Sequence, residues 1–227
     1  MRKKPGFFTL DPIDRKNLRN PGTIGRFMMT RRFRGKSIKP LFPYGHYLFC
    51  GRQGGGKTAS CLFYYEYLQK KYGKHFTVEL YSNLGIGKPI SKYSISETIR
   101  SISYSPNTIH ILIIDELQSY FPRDTKDSKT LAEIDKLVSD FSQLRKRSIF
   151  VLSTAQIYGR VNKSLREQCL YMINCRKSRI SNKLVNDFID GDDIICDEQG
   201  RWSGTPCRIF VHGLPRTSYD THRLIIH

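Results

Sequence analysis

Gly51-Arg52-Gln53-Gly54-Gly55-Gly56-Lys57-Thr58 is the stretch on which the fold turns. It matches G-x-x-x-x-G-K-[ST] and has the surroundings that pattern needs: a short apolar run at 47–50 reads as a strand, and 58–72 reads as a helix ending at Gly73. The glycines let consecutive backbone N–H groups turn inward around a phosphate, and the helix N-terminus adds positive potential. Lys57 is then placed to reach the β- and γ-phosphates of a nucleotide, and the Thr58 hydroxyl to meet magnesium. All eight residues are candidate nucleotide contacts: Gly51, Arg52, Gln53, Gly54, Gly55, Gly56, Lys57 and Thr58. The plain alternative, a flexible glycine turn that binds nothing, leaves the strand-loop-helix context unexplained.

Outward from this loop, residues 109–114 form an unbroken, β-branched apolar run, which suits a strand covered on both faces in a parallel sheet. Asp115 and Glu116 follow it directly and so fall at the strand's C-terminal end, where ligands bind in open α/β sheets. Asp115 can hold magnesium, and Glu116 can polarise an attacking water. A phosphotransferase has less need of the second carboxylate, so the pair favours hydrolysis. A further strand at 148–154 ends in Ala155-Gln156, which puts an amide at a neighbouring strand end within reach of a γ-phosphate or the water.

Residues 76–81 read as a strand inserted between the two motifs, and 170–174 as another strand. Ser94-x-x-Glu97 and Thr130-x-x-Glu133 read as capping boxes, and Leu131, Ile134, Leu137, Val138, Phe141 and Leu144 repeat at helical spacing up to Arg147. Strands separated by helices along one chain predict an α/β, three-layer fold with a mostly parallel central sheet. Beyond Asn174 the pieces shorten. Residues 194–196 and 207–211 are expected to pair as a hairpin, giving a small C-terminal β appendage within 177–227.

The 227 residues carry 38 Lys and Arg against 20 Asp and Glu, a formal charge of +18. Residues 1–40 alone hold 12 basic residues against Asp11 and Asp14, a net of +10, which leaves +8 for the other 187. With Pro and Gly scattered through it, that segment reads as a basic arm, and 41–227 as the folded domain. A concentrated basic excess suits a polyanion such as nucleic acid. No stretch approaches the ~20 apolar residues of a membrane helix, and the N-terminus lacks a secretory pattern, so the chain reads as cytosolic. The six cysteines contain no C-x-x-C pair, which argues against zinc.

The motifs in this order, GRQGGGKT at 51–58, IIDE at 113–116 and RKRSIFVLSTAQ at 145–156, resemble the FtsK and HerA superfamily of RecA-like DNA-pumping ATPases. Within it the chain is most similar to genome-packaging ATPases of membrane-containing viruses, and it is also similar to the zonula-occludens-toxin-like assembly proteins of filamentous phages. The resemblance covers about 44–170. It implies a RecA-like, ASCE-type P-loop fold, ATP and Mg2+ as ligands, and a six-membered ring that threads double-stranded viral DNA. It also implies a capsid or internal-membrane partner at a portal vertex, in the host cytoplasm or the virion. The filamentous-phage relatives usually carry a transmembrane segment and this sequence shows none, which favours packaging.

An ATP site at a subunit boundary takes a cation from the neighbouring subunit, worth ~10³ to 10⁵ in rate. The resemblance points to Arg145 or Arg147 for that role, with Arg160 and Arg166 as rivals. Basic residues that simply complement a helix C-terminus are the plain alternative. Lys126, Lys129, Arg160 and Lys163 fall on loops after strand ends, where they can grip DNA phosphates. Tyr120, Phe121 and Tyr158 either stack on bases or pack in the core. Two other classes remain in view: a P-loop small-molecule kinase, which has no evident use for the basic arm or Gln156, and a non-catalytic, nucleotide-switched DNA-binding protein.

Overall fold

Strand β1 (Gly45–Cys50) is buried from His46 onward, so it needs a neighbour along each edge. It has β5 (Ile149–Ala155) on one side and β6 (Cys169–Lys177) on the other, both parallel to it. The computed structural model describes residues 44–105, 107–178 and 183–217; the basic segment 1–40 lies outside the described residues. On the β5 side the sheet continues with β4 (Thr108–Ile114), β2 (Thr77–Ser82) and the two-residue β3 (Lys88–Pro89), all parallel. On the β6 side it continues antiparallel through β7 (Leu184–Asp190) to β10 (Arg208–His212). The order is therefore β10-β7-β6-β1-β5-β4-β2-β3.

Side chains alternate across the central strands, as the pleat requires, and this divides the core into two layers. Tyr47, Phe49, Ile111, Ile113, Phe150 and Leu152 pack on one face with Leu62, Tyr64 and Leu68 of α1 (Lys57–Tyr72). Leu48, Leu112, Ile114 and Val151 pack on the other with Ile95 and Ile99 of α2 (Ile95–Ser101) and with Ile134, Leu137 and Phe141 of α4 (Ser128–Phe141). The short α3 (Leu117–Tyr120) and α5 (Lys163–Arg166) lie close after β4 and β5. This is the mostly parallel α/β sandwich expected of a RecA-like P-loop chain. Because β5 sits between β1 and β4, with Cys50 opposite Ala155 and Ile114 opposite Ser153, the glycine loop, the acidic pair and Gln156 emerge side by side.

Three local expectations are corrected. The expected 194–196/207–211 hairpin does not form: β8 (Ile195–Cys196) pairs instead with β9 (Trp202–Ser203), and β10 leaves the appendage to become the sheet edge beside β7. Strand β7 itself has no apolar alternation, since Asn186, Asp187 and Asp190 interrupt it, yet the whole strand is buried. Its polar groups have tertiary partners: Asn186 accepts from Ser60 Oγ at 2.9 Å and contacts His212 Nε2 at 2.8 Å, while Asp187 accepts from Arg176 Nε at 3.0 Å.

Neither capping box takes the expected form. Thr130 lies inside α4, whose N-cap is Asp127, accepting from Thr130 N at 2.9 Å. Ser94 is the N-cap of α2 but makes no side-chain cap bond there; the reciprocal pair is Ser91 with Ser94, which caps the 3-10 turn Lys92–Ser94 just before α2. Finally, α4 stops at Phe141, and Leu144–Arg147 is a separate 3-10 turn.

Candidate functional site

The glycine loop is shaped by what lies beneath it. Gly51 passes so close to the Cys175 carbonyl that a Cβ there would collide with it. Gly56, the N-cap of α1, sits at φ +83°, and a Cβ would come within 2.5 Å of Leu184 Cδ2. Only glycine meets both conditions without strain. Gly55 N donates to Arg52 O at 2.9 Å, closing the turn, and Lys57 Nζ reaches the same carbonyl at 3.3 Å. The loop thus presents an ammonium and a helix N-terminus to one hollow, the chemistry of an anion cradle.

Asp115 is the hub of the site. Its Oδ1 accepts from Thr58 Oγ1 at 3.0 Å and from Thr154 Oγ1 at 2.7 Å. Burial pushes its carboxyl above the usual carboxylate range, against the two hydroxyl donors and Lys57, while Glu116 adds to the rise. A partly buried carboxylate beside a Thr hydroxyl is a hard-oxygen donor set of the kind that holds Mg2+ together with phosphate oxygens.

Glu116 adopts the left-handed conformation, φ 54° and ψ 51°, which costs a non-glycine residue energy and persists only where its surroundings impose it. Here they do. Glu116 N donates to Thr154 Oγ1 at 2.9 Å, Gln156 Nε2 donates to Glu116 Oε1 at 3.2 Å, and Ser119 Oγ reaches Oε2 at 3.4 Å. Asn83, just past β2, grips the preceding peptide from the other side: Asp115 N donates to its Oδ1 at 2.8 Å, and its Nδ2 donates to Asp115 O at 3.0 Å.

Gly51 to Thr58, Asp115, Glu116 and Gln156 therefore stand at one edge of the sheet. The nominated arginines do not join them. Arg145 and Arg147 lie on the turn before β5, at the opposite end of that seven-residue strand, about 20 Å from Gln156 at strand rise. Arg147 Nη1 donates to Ile99 O at 2.7 Å. Arg166 is only 7% exposed and is used within its own fold: Nη1 donates to Cys196 Sγ at 2.8 Å and the guanidinium lies 5.0 Å from the centre of the Tyr158 ring.

Lys126, Lys129, Arg160 and Lys163 are exposed. Lys126 lies on a loop and Arg160 on a short 3-10 turn, but Lys129 and Lys163 stand in the first turns of α4 and α5 and not on loops as expected. The segments before these two helices are joined by an Arg123 N to Arg160 O bond of 2.9 Å, an Asn162 N to Phe121 O bond of 3.0 Å and a bridge between Pro122 and Val161. Tyr120, Phe121 and Tyr158 are buried in the core, so core packing, not base stacking on DNA, describes them.

Sequence reading missed Thr154, Asn83 and Ser119. Thr154 is two residues before Gln156 on a strand, hence on the same face, a signal available in principle. Ser119 is three residues after Glu116, also a local spacing, whereas Asn83 carried no signal, since its partner is the backbone of a residue 32 positions away. A cavity of about 490 Å³ opens beside the glycine loop, lined also by Gln156, Tyr158, Asn174, Arg176 and Trp202.

No protein-family profile matches the chain, and no curated protein matches it in sequence. Among solved structures, the N-terminal domain of zonular occludens toxin from Neisseria meningitidis aligns over 77% of this chain and 96% of its own, at 15% identity and a TM-score of 0.51. The genome packaging NTPase B204 of Sulfolobus turreted icosahedral virus 2, in complex with ATP-gammaS, aligns over 76% of this chain and 99% of its own, at 10% identity and a TM-score of 0.45. The first of these shows that the chain shares the fold of the zonular occludens toxin N-terminal domain.

Proposed function

We propose that this chain is an ATP-hydrolysing DNA translocase that packages a viral genome into a preformed capsid, working as a six-membered ring. One observation carries the hydrolytic part: Glu116, bonded by Gln156 and held in a strained backbone conformation, adjoins a partly buried Asp115 that accepts from Thr58 of the glycine loop. In this reading the loop N–H groups and Lys57 hold the triphosphate of ATP, and Thr58 and Asp115 hold Mg2+. Bound magnesium would neutralise charge on the β- and γ-phosphate oxygens. Glu116 orients a water and takes its proton as the water oxygen bonds to the γ-phosphorus and the bond to the β–γ bridging oxygen breaks. Gln156, already on Glu116, senses whether the γ-phosphate is present.

Transmission to DNA follows from chain continuity. Gln156 is four residues from Arg160, whose backbone is tied to the segment that carries Lys126 and leads into Lys129 on α4, so a shift at the phosphate moves two basic segments together. Their exposed cations suit contact with DNA phosphates. Arg145 and Arg147, at the opposite sheet end, suit an in-trans role only in a head-to-tail ring, where one subunit's far end meets the next subunit's site. A capsid or internal-membrane protein at a portal vertex would anchor such a ring, in the host cytoplasm or on the virion. Among the described residues no helix is long and apolar enough to cross a membrane.

A second reading, a motor that exports or extrudes DNA, follows from the sequence resemblance to the assembly proteins of filamentous phages. The shared activity is tested first: DNA-stimulated phosphate release from ATP, expected to collapse at least a hundredfold in Lys57→Ala and Glu116→Gln. Unchanged turnover in both variants would sink either reading. Filling of purified empty capsids in the presence of ATP then separates packaging from export.

A further inference from the structure

Gly51 to Gly55 of the glycine loop line the 490 Å³ cavity, which lies beside Lys57 and Thr58, and the rest of its lining has no part in holding phosphate. That volume is typical of a small-molecule site. Arg52, Arg176 and Lys177 line it, Arg176 with its guanidinium on Asp187, and no carboxylate lines it among the described residues, so it suits an anionic ligand. Its wall away from the glycine loop is aromatic and apolar, built by Ile157, Tyr158 and Trp202. A basic hollow running into an aromatic wall matches a nucleoside polyphosphate, with phosphates at one end and a base at the other.

Trp202, the chain's single tryptophan, lies on the β8–β9 hairpin, whose ladder is two residues long. A ladder that short does not hold itself together in water. The core holds it instead. The hairpin turn packs backbone to backbone on the loop after Gln156, since a Cβ on Gly200 would lie 3.2 Å from Gly159 Cα and Gly200 has φ +79°. Cys196, the register partner of Trp202, receives the Arg166 Nη1 bond. Arg166 is at the same time stacked on Tyr158, and its Nε has no hydrogen-bond partner among the described residues. Arg166, with no carboxylate partner among the described residues, thus ties Tyr158 to the strand that pairs with Trp202, and Trp202 itself is partly buried against the core.

We propose that Trp202 is the stacking platform for the base of the nucleotide whose phosphates the glycine loop holds. The inference rests on the nucleotide-binding reading above. Base–aromatic stacking is worth ~1–3 kcal/mol, about a five- to hundredfold change in affinity. The test uses the full-length protein and three probes: ATP, ADP and sodium tripolyphosphate, which has the phosphates without the base.

Binding of ATP or ADP is expected to change the emission of the single tryptophan, and tripolyphosphate to change it little. Trp202→Leu is expected to weaken ATP and ADP by at least fivefold with tripolyphosphate affinity kept, and Trp202→Phe to restore most of the loss. Equal weakening of ATP and tripolyphosphate overturns the inference, because the hairpin would then merely support the loop. So does ATP binding that survives Trp202→Leu, which leaves the phosphate cradle standing. Failure of the wild-type chain to bind either ATP or tripolyphosphate overturns the nucleotide reading itself, and this inference with it.

Discussion

Thr154→Val isolates one hydroxyl at the centre of the site. Thr154 is fully buried, and valine replaces the hydroxyl with a methyl of similar size, so no cavity complicates the result. Two bonds disappear. The 2.7 Å bond to Asp115 Oδ1 is made to a charged group, worth about 1.5–3 kcal/mol. The 2.9 Å bond from Glu116 N leaves that amide unpaired, at about 1–3 kcal/mol. Asp115 keeps its Thr58 donor and can take up a proton, and the new methyl gains about 1 kcal/mol of burial. The net expectation is a loss of about 2–3 kcal/mol.

Urea unfolding should show it as a lower midpoint at unchanged slope. ATP turnover should fall by at least tenfold, because the Thr154 bond helps hold Glu116 in its left-handed conformation. Thr154→Ser is the control: it keeps both bonds and loses only a methyl, so about 1 kcal/mol. If Thr154→Val proves as stable and as active as Thr154→Ser, the hydroxyl does not organise the acidic pair and the account of the site is wrong.

Gly56→Ala should cost about 1–2 kcal/mol from the left-handed backbone alone, plus the contact with Leu184 Cδ2. In a double-mutant cycle, adding Leu184→Ala should recover the steric part and leave the conformational part, and full recovery by that partner change would show that φ at Gly56 is immaterial. His46 is buried between Ser153 Oγ at 2.6 Å and Cys169 Sγ at 3.2 Å, and burial lowers its pKa from 6.5 to about 3. Its folded value lies below its unfolded one, so its contribution is fully present above pH 6.5 and is lost as pH falls toward 3. At pH 5 the loss is about 2 kcal/mol. His46→Gln should flatten the stability profile between pH 7 and 5 by that amount, and an equally steep profile in the variant would refute the assignment.

Much of this site was written locally. The glycine loop, the acidic pair after its apolar strand and Gln156 after the next each combine a short motif with a run of one period, and local order suffices to put each at a strand end. Strand β7 was invisible for the opposite reason. Asn186 and Asp187 read as loop until Ser60, His212 and Arg176 are placed against them. The same holds for Arg166, which as a sequence position looks like any basic residue at a helix end, and which burial turns into a link between Tyr158 and Cys196.

What the chain alone determined is the α/β class, the phosphate loop and the residues that face a phosphate, because strand and helix periods and a glycine-rich turn depend on neighbours in sequence. Tertiary structure alone decided three further things. It set β5 between β1 and β4, which brings Thr154 to Asp115 and Gln156 to Glu116. It sent β10 to the sheet edge and not into a hairpin. It also docked Trp202 beside the glycine loop. Each of these rests on pairings between residues tens of positions apart, and the free energy that selects them comes from burial and hydrogen bonding across the fold, to which no local pattern is sensitive.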